Sequence, residues 1–175
     1  LRILQSLTLD DETALRTFAD AHGLVIYLQT GGPETVTLFH PANPASLSYT
    51  LPEFGIEQRF LPIDFTQVNH GINRMLVRRA MMLLAPQPGE RIADMFCGLG
   101  NFTLPIARCG AMVVGVEGSK GLVERARANA EFNGLAAHTE FRVSNLFEAT
   151  AESLASLGYF DKMLIDPPRE GAAEL

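Results

Sequence analysis

Ala93-Asp94-Met95-Phe96-Cys97-Gly98-Leu99-Gly100-Asn101-Phe102-Thr103 is the stretch that decides the fold of this 175-residue chain. Residues 91–96 read as a strand, two glycines follow, and 101–109 reads as a helix. Glycines at that junction let the backbone turn sharply and approach a ligand closely. The helix that follows presents free N–H groups at its start. A strand, a Gly-rich turn and a helix in this order open a βαβ unit.

Reading outward, further strands fall at 111–116, 139–143 and 162–166, with helices at 119–132 and 146–157 between them. Asn133-Gly134 is a proper stop for the first of these helices. A long helix over 67–84 and the turn Pro86-Gln87-Pro88-Gly89-Glu90 precede the first strand. Four strands alternating with helices imply a parallel sheet. A doubly wound sheet has about six strands in two halves, and only the first half is read here.

Residues 1–62 are written differently. Asp10-Asp11-Glu12 opens a helix through Leu15, Phe18 and Ala19 that closes at His22-Gly23. Strands follow at 24–29 and 35–39 around Thr30-Gly31-Gly32-Pro33, which reads as a hairpin. Beyond the loop His40-Pro41-Ala42-Asn43-Pro44, two more strands are expected at 46–51 and 56–61. The expected organisation is part of a β-rich α+β domain over 1–62, then the truncated first half of a Rossmann-like α/β sheet over 63–175.

Hydrophobic residues make up 47% and charged residues 19%, which excludes a disordered chain. No apolar run approaches the ~18 residues of a membrane span. Leu1-Arg2-Ile3-Leu4-Gln5 lacks the ordered parts of a secretory leader, and the missing Met suits a start inside a longer protein. A net charge of −6 argues against a strongly basic nucleic-acid-binding domain. The acidity is uneven: three arginines face seven acids over 1–60, whereas 61–175 is close to balance. Arg74, Arg78 and Arg79 cluster in the 67–84 helix, where a solvated face is favoured over an RNA contact. Met75, Met81 and Met82 of the same helix read as core. Two cysteines without a Cys-x-x-Cys make neither a disulfide framework nor a zinc site, and fit a reducing cytoplasm. His22, His40, His70 and His138 have no metal-ligand spacing.

Two cofactor classes use a Gly-rich turn of this kind. Dinucleotide enzymes place Gly-x-Gly-x-x-Gly there and set a pyrophosphate on the helix end. Here the third glycine position is Thr103, and the acid Asp94 precedes the turn. S-adenosyl-L-methionine (SAM) has no phosphates and carries a sulfonium, so an acidic strand end suits it better. The next strand ends in Glu117, 23 residues after Asp94, where a carboxylate can accept both ribose hydroxyls in either class. The fourth strand ends in Asp166-Pro167-Pro168-Arg169. Prolines cannot continue a central strand, so this segment leaves the sheet at its ligand-binding end. Enzymes that methylate base amines carry an aromatic residue after such an Asp-Pro-Pro; Arg169 stands there instead.

Taken together, Phe65-Thr66-Gln67-Val68-Asn69, the stretch 94–102, Gly115-Val116-Glu117-Gly118 and Asp166-Pro167-Pro168-Arg169 resemble the RNA uracil-C5 methyltransferases, most closely the bacterial 23S ribosomal RNA branch. The resemblance runs from about residue 56 onward. It implies a SAM methyltransferase sheet, an RNA substrate and a cytoplasmic enzyme without a membrane partner. It also implies SAM contacts at Gln67, Phe96, Asn101, Glu117, Asn145 and Asp166, with Ser144 as the rival of Asn145. The family's iron–sulfur centre would belong to a longer protein, because this chain has no cysteine cluster for it.

Carbon 5 of uracil is a poor nucleophile, and the family's solution is covalent. A cysteine thiolate adds to carbon 6, the resulting enolate takes the methyl group, and a base removes the carbon-5 proton before the cysteine leaves. The target base must first leave its stack. The resemblance puts that cysteine and base after Leu175, so no catalytic residue is expected within the chain. Cys97, inside the cofactor turn, and Cys109 both read as packing residues. Two rivals stand beside this reading: a SAM enzyme acting on an amine of a base or protein, and a non-catalytic Rossmann-like binding module.

Overall fold

A computed structural model of the chain describes residues 1–169, 171 and 172. It divides into two compact units, one of Leu1–Leu47 with Leu61–Asp64, the other of Ser48–Phe60 with the rest of the chain from Phe65.

The first unit holds helix α1 (Leu9–His22) and a hairpin of β1 (Ile26–Gln29) and β2 (Val36–His40). Thr8 caps α1 by accepting the Asp11 N–H on its hydroxyl, while Asp11 accepts the Thr8 N–H in return. Gly23, at φ 61°, closes the helix in the left-handed region. The strands pair antiparallel from Ile26↔His40 to Gln29↔Val36, around a 3-10 turn at Pro33–Thr35. Arg16 ties α1 to β2 by donating to the Phe39 carbonyl at 3.1 Å and lying over the Phe39 ring.

In the second unit β3 (Ser48–Leu51) and β4 (Ile56–Arg59) pair antiparallel, Ser48↔Arg59 to Leu51↔Ile56. Then come α2 (His70–Leu84), β5 (Arg91–Met95), α3 (Thr103–Arg108), β6 (Met112–Glu117), α4 (Lys120–Phe132), β7 (Thr139–Val143), α5 (Ala151–Ala155) and β8 (Lys162–Ile165). The last four strands form one parallel sheet in the order β7-β6-β5-β8. That is the α/β arrangement expected from the alternation of strands and helices. One core, on the α2–α3–α4 face, gathers Leu51, Ile56, Val77, Ile92, Leu104, Ile106 and Val123. The opposite face gathers Ala93, Met95, Val114, Val116, Leu146 and Leu157. Alternate residues of β5 therefore face opposite cores, which is why Ile92 and Ala93, adjacent in sequence, are both fully buried.

Several expected boundaries shift for local reasons. The division expected at residue 62 is not where the compact units part, because β3 and β4 belong with the sheet. The helix read over 67–84 starts at His70, since the Asn69 side chain accepts the Ile72 N–H and caps it there. Gln67 consequently lies in the irregular segment ahead of α2. The helix read over 101–109 starts at Thr103, because Gly98 and Gly100 spend two more residues on the turn. The helix read over 146–157 is broken: a 3-10 turn covers Leu146–Glu148, and Thr150 caps the short α5 anew. Met81 is buried as expected, but Met75 and Met82 are exposed on the outer face of α2. No helix among the described residues is long and apolar enough to cross a membrane.

Candidate cofactor-binding site

The carboxyl ends of β5, β6, β7 and β8 carry Phe96, Glu117, the Ser144–Asn145 pair and Asp166, the place where open α/β sheets bind ligands. Adjacent parallel strands bring together residues as far apart in sequence as Phe96 and Asp166. The turn between β5 and α3 bends through three positive φ angles, 63° at Phe96, 53° at Gly98 and 88° at Gly100. A phenylalanine in the left-handed region is strained, and such strain persists where the surroundings fix it. Here the Cys97 N–H donates to the Val116 carbonyl, and the Phe96 ring lies 5.5 Å from that of Phe147.

Glu117 organises the site. Its carboxylate accepts the Gly98 N–H at 3.1 Å on one oxygen and the Ser119 N–H at 2.9 Å on the other. The carboxylate therefore occupies the Gly98 N–H of the turn and adds negative charge there. Each oxygen keeps a lone pair for further donors, such as the two hydroxyls of a ribose. Behind the turn, Asp94 is fully buried and accepts the Thr103 hydroxyl at 2.5 Å. Its other oxygen has no hydrogen-bond partner among the described residues. Burial, reinforced by the neighbouring Asp166 and Glu117 carboxylates, pushes Asp94 up to about 7 against the pull of the Thr103 bond. Asp166 follows β8, with its N–H directed to the Met95 carbonyl. Glu117 and Asp166 beside the turn favour a cationic ligand over an anionic one.

The remaining expected residues have definite places. Asn145 is exposed and caps the Leu146–Glu148 turn by accepting the Phe147 N–H. Its rival Ser144 donates its N–H to the Glu117 carbonyl and so steadies the strand end. Asn101 is engaged by protein: its carbonyl oxygen accepts from the Tyr49 hydroxyl and from Asn73, and its amide donates back to Asn73. Gln67 stands half-buried before α2. Cys97 is buried, and a β-carbon added at Gly115 would fall 2.9 Å from its sulfur. Burial, with the Asp94 and Glu117 charges, raises its thiol well above the ordinary range.

Four contributors were not singled out from the sequence. In the sequence Thr103 reads only as the residue in the third glycine position; its hydroxyl holds Asp94. Gln58 donates to the Gly100 carbonyl at 2.9 Å, and Tyr49 and Asn73 hold Asn101. In β4 the alternation places Gln58 inward with Ile56, so a polar residue at an apolar position was the available signal. Tyr49 and Asn73 had no local signal.

Comparison with known proteins gives this geometry a family. The sequence profile described as tRNA (Uracil-5-)-methyltransferase matches residues 53–174. The 23S rRNA (uracil(1939)-C(5))-methyltransferase RlmD of Dechloromonas aromatica (strain RCB) is 66% identical over 175 residues, all of this chain and 40% of that protein. The protein of the same description from Aromatoleum aromaticum is 61% identical over 171 residues, 98% of this chain and 40% of the relative. The chain thus spans about two-fifths of the curated relatives it matches. Among solved structures, the Pyrococcus abyssi tRNA (uracil-54, C5)-methyltransferase in complex with S-adenosyl-L-homocysteine shares its fold, with a TM-score of 0.66 and 26% identity. That match covers 85% of this chain and 36% of the other. With the profile spanning most of its length, the chain belongs to the tRNA (uracil-5-)-methyltransferase family.

Proposed function

We propose that this chain is the SAM-binding part of an enzyme that methylates carbon 5 of a uridine in RNA, with 23S ribosomal RNA as the substrate and the cytoplasm as its compartment. The observation that carries the reading is the Glu117 carboxylate, spread over the Gly98 and Ser119 N–H groups with Asp94 buried behind them. That arrangement offers carboxylate acceptors to a ribose, with further acidic groups where a cationic ligand would lie. The names of the 66% and 61% identical relatives supply the RNA and the target atom.

The residues present fit SAM. Glu117 would accept the ribose hydroxyls, Phe96 and Asn145 would flank the adenosine, and Asp166 would face the charged methionine end. Asn101 keeps one amide N–H beyond those bound to protein, and Gln67 would cover the site from the segment before α2. When bound, SAM supplies the methyl group. The nucleophilic cysteine and the base are assigned to residues after Leu175, because burial and nearby carboxylates keep the Cys97 thiol protonated.

The test is titration of the protein, in its full natural length, with S-adenosyl-L-homocysteine, followed by nucleoside analysis of ribosomal RNA after incubation with SAM. We expect 5-methyluridine, and binding weakened by Glu117→Ala by ~1–3 kcal/mol, the cost of hydrogen bonds to a charged group. Cys97→Ala should still give 5-methyluridine. Methylation of an amine, or a Glu117→Ala variant that binds as well as the wild type, overturns the reading.

A further inference from the structure

We propose that the β3–β4 hairpin is a brace for the cofactor turn, with Gln58 and Tyr49 as positioning residues that hold the turn in its ligand-receiving shape. The inference rests on the SAM-binding reading above and extends it to residues outside the parallel sheet.

Two independent contacts cross from the hairpin to the turn. Gln58 on β4 is fully buried and donates its amide to the Gly100 carbonyl at 2.9 Å. Tyr49 on β3 donates its hydroxyl to the Asn101 side chain at 2.9 Å. Asn73, buried on α2, exchanges two hydrogen bonds with the same Asn101 amide, at 3.0 and 2.9 Å. Adjacent residues of the turn are therefore gripped from two outside elements. The turn needs such a grip. It contains a left-handed phenylalanine and two positive-φ glycines, and glycines leave the backbone free to adopt other shapes.

The hairpin is itself anchored on its far side. Asn129 of α4 accepts the Arg59 N–H and donates to the Arg59 carbonyl. Asn133, just past α4, does the same for Glu57. These side chains pair with the β4 edge as a neighbouring strand would. The Arg59 guanidinium also lies 3.4 Å above the Phe132 ring. A rigidly held hairpin can transmit position to the turn, whereas a loose one could not.

The polar chemistry of Gln58 argues for the same role. Its side-chain oxygen is buried without a hydrogen-bond partner among the described residues, and such an atom is a cost that a leucine at the same place would avoid. The amide's one bond goes to Gly100. Filling the core does not account for an amide there; holding the turn does.

The experiment uses the protein in its full natural length, with S-adenosyl-L-homocysteine as the probe. Dissociation constants, melting temperatures and hydrogen exchange of the 98–102 amides are measured for wild type, Gln58→Leu, Tyr49→Phe and the core control Ile56→Val. Gln58→Leu should weaken binding about fivefold, the loss of one neutral hydrogen bond. Its melting temperature should stay level or rise, because a partnerless buried oxygen has gone. Tyr49→Phe should weaken binding about twofold. Both should speed exchange in 98–102, whether or not the probe is present. Ile56→Val should lower the melting temperature and leave affinity unchanged. The brace is overturned if Gln58→Leu and Tyr49→Phe leave affinity and exchange at wild-type values, or if affinity follows melting temperature across all variants. A wild-type protein that fails to bind the probe, with the exchange changes intact, overturns the SAM reading and leaves the brace standing on the turn itself.

Discussion

The two hairpins of this molecule are built to the same local plan and held by opposite means. Each has two short antiparallel strands joined by a 3-10 turn that begins at a proline, Pro33 in one and Pro52 in the other. The β1–β2 hairpin meets α1 through polar groups at the protein's rim: Arg16 with the Phe39 carbonyl, and His40 with the exposed Asp20. The β3–β4 hairpin is held by buried amides. Gln58, Asn73, Asp94, Thr103 and Asn129, the buried polar and charged residues among those described, all lie in the second unit. A buried polar group is costly unless bonded, and when bonded it fixes one arrangement. A hairpin that meets its neighbours through water-exposed contacts is tied down weakly. One that is locked through buried amides becomes part of the site it touches.

The largest expected effect breaks the comparison by pH. Asp94 has its folded-state value raised to about 7 by burial, against an ordinary value of 3.8. Between those limits the folded state holds a proton that the unfolded state has lost. Stability from this group is therefore full below about pH 4 and falls as pH rises toward 7. Asp94→Asn removes that dependence. Thermal melts across this range should show the variant gaining on the wild type as pH rises, by at most about 4 kcal/mol above pH 7. A difference that stays constant with pH would show that Asp94 does not titrate in this window.

Next in size is the anchor of the second hairpin. Asn129→Ala with Asn133→Ala removes four hydrogen bonds to the backbone of Glu57 and Arg59. At about 1 kcal/mol each, less what water restores at this half-buried edge, chemical denaturation should report a loss of roughly 3 kcal/mol. Hydrogen exchange should quicken in β4 and leave β1–β2 unchanged. If both hairpins loosen together, the contrast between them fails.

How much of this the sequence displayed follows from how local each signal is. The Gly98-x-Gly100 turn, the acid ending β6 and the prolines after β8 are local patterns, and the sheet and its ligand-binding end follow from them. Helix starts at His70 and Thr103 were less visible, because a single cap or one extra turn residue sets them. The membership of β3 and β4 was hidden, since a hairpin reads the same whichever neighbour it joins. Its placement is decided by Asn129 and Asn133, more than 65 residues away. The full burial of Asp94 also needed three dimensions: the sequence showed an acid beside a turn, and α3 with Thr103 closes over it.

The smallest expected effect tests the weakly held side. Arg16 donates to the Phe39 carbonyl, stacks 4.2 Å above the Phe39 ring and reaches Glu12 at 3.7 Å. Those contacts look as numerous as the ones around Gln58. They lie in water, however, where ion pairs and exposed cation–π contacts are each worth about 1 kcal/mol or less. Replacing Arg16 with alanine frees a carbonyl that water can satisfy at once, so no buried group is stranded. Chemical denaturation should show a loss below about 1 kcal/mol that shrinks further in high salt, with affinity for S-adenosyl-L-homocysteine unchanged. A loss approaching that of the asparagine pair would mean that exposed contacts hold the first hairpin as firmly as buried amides hold the second.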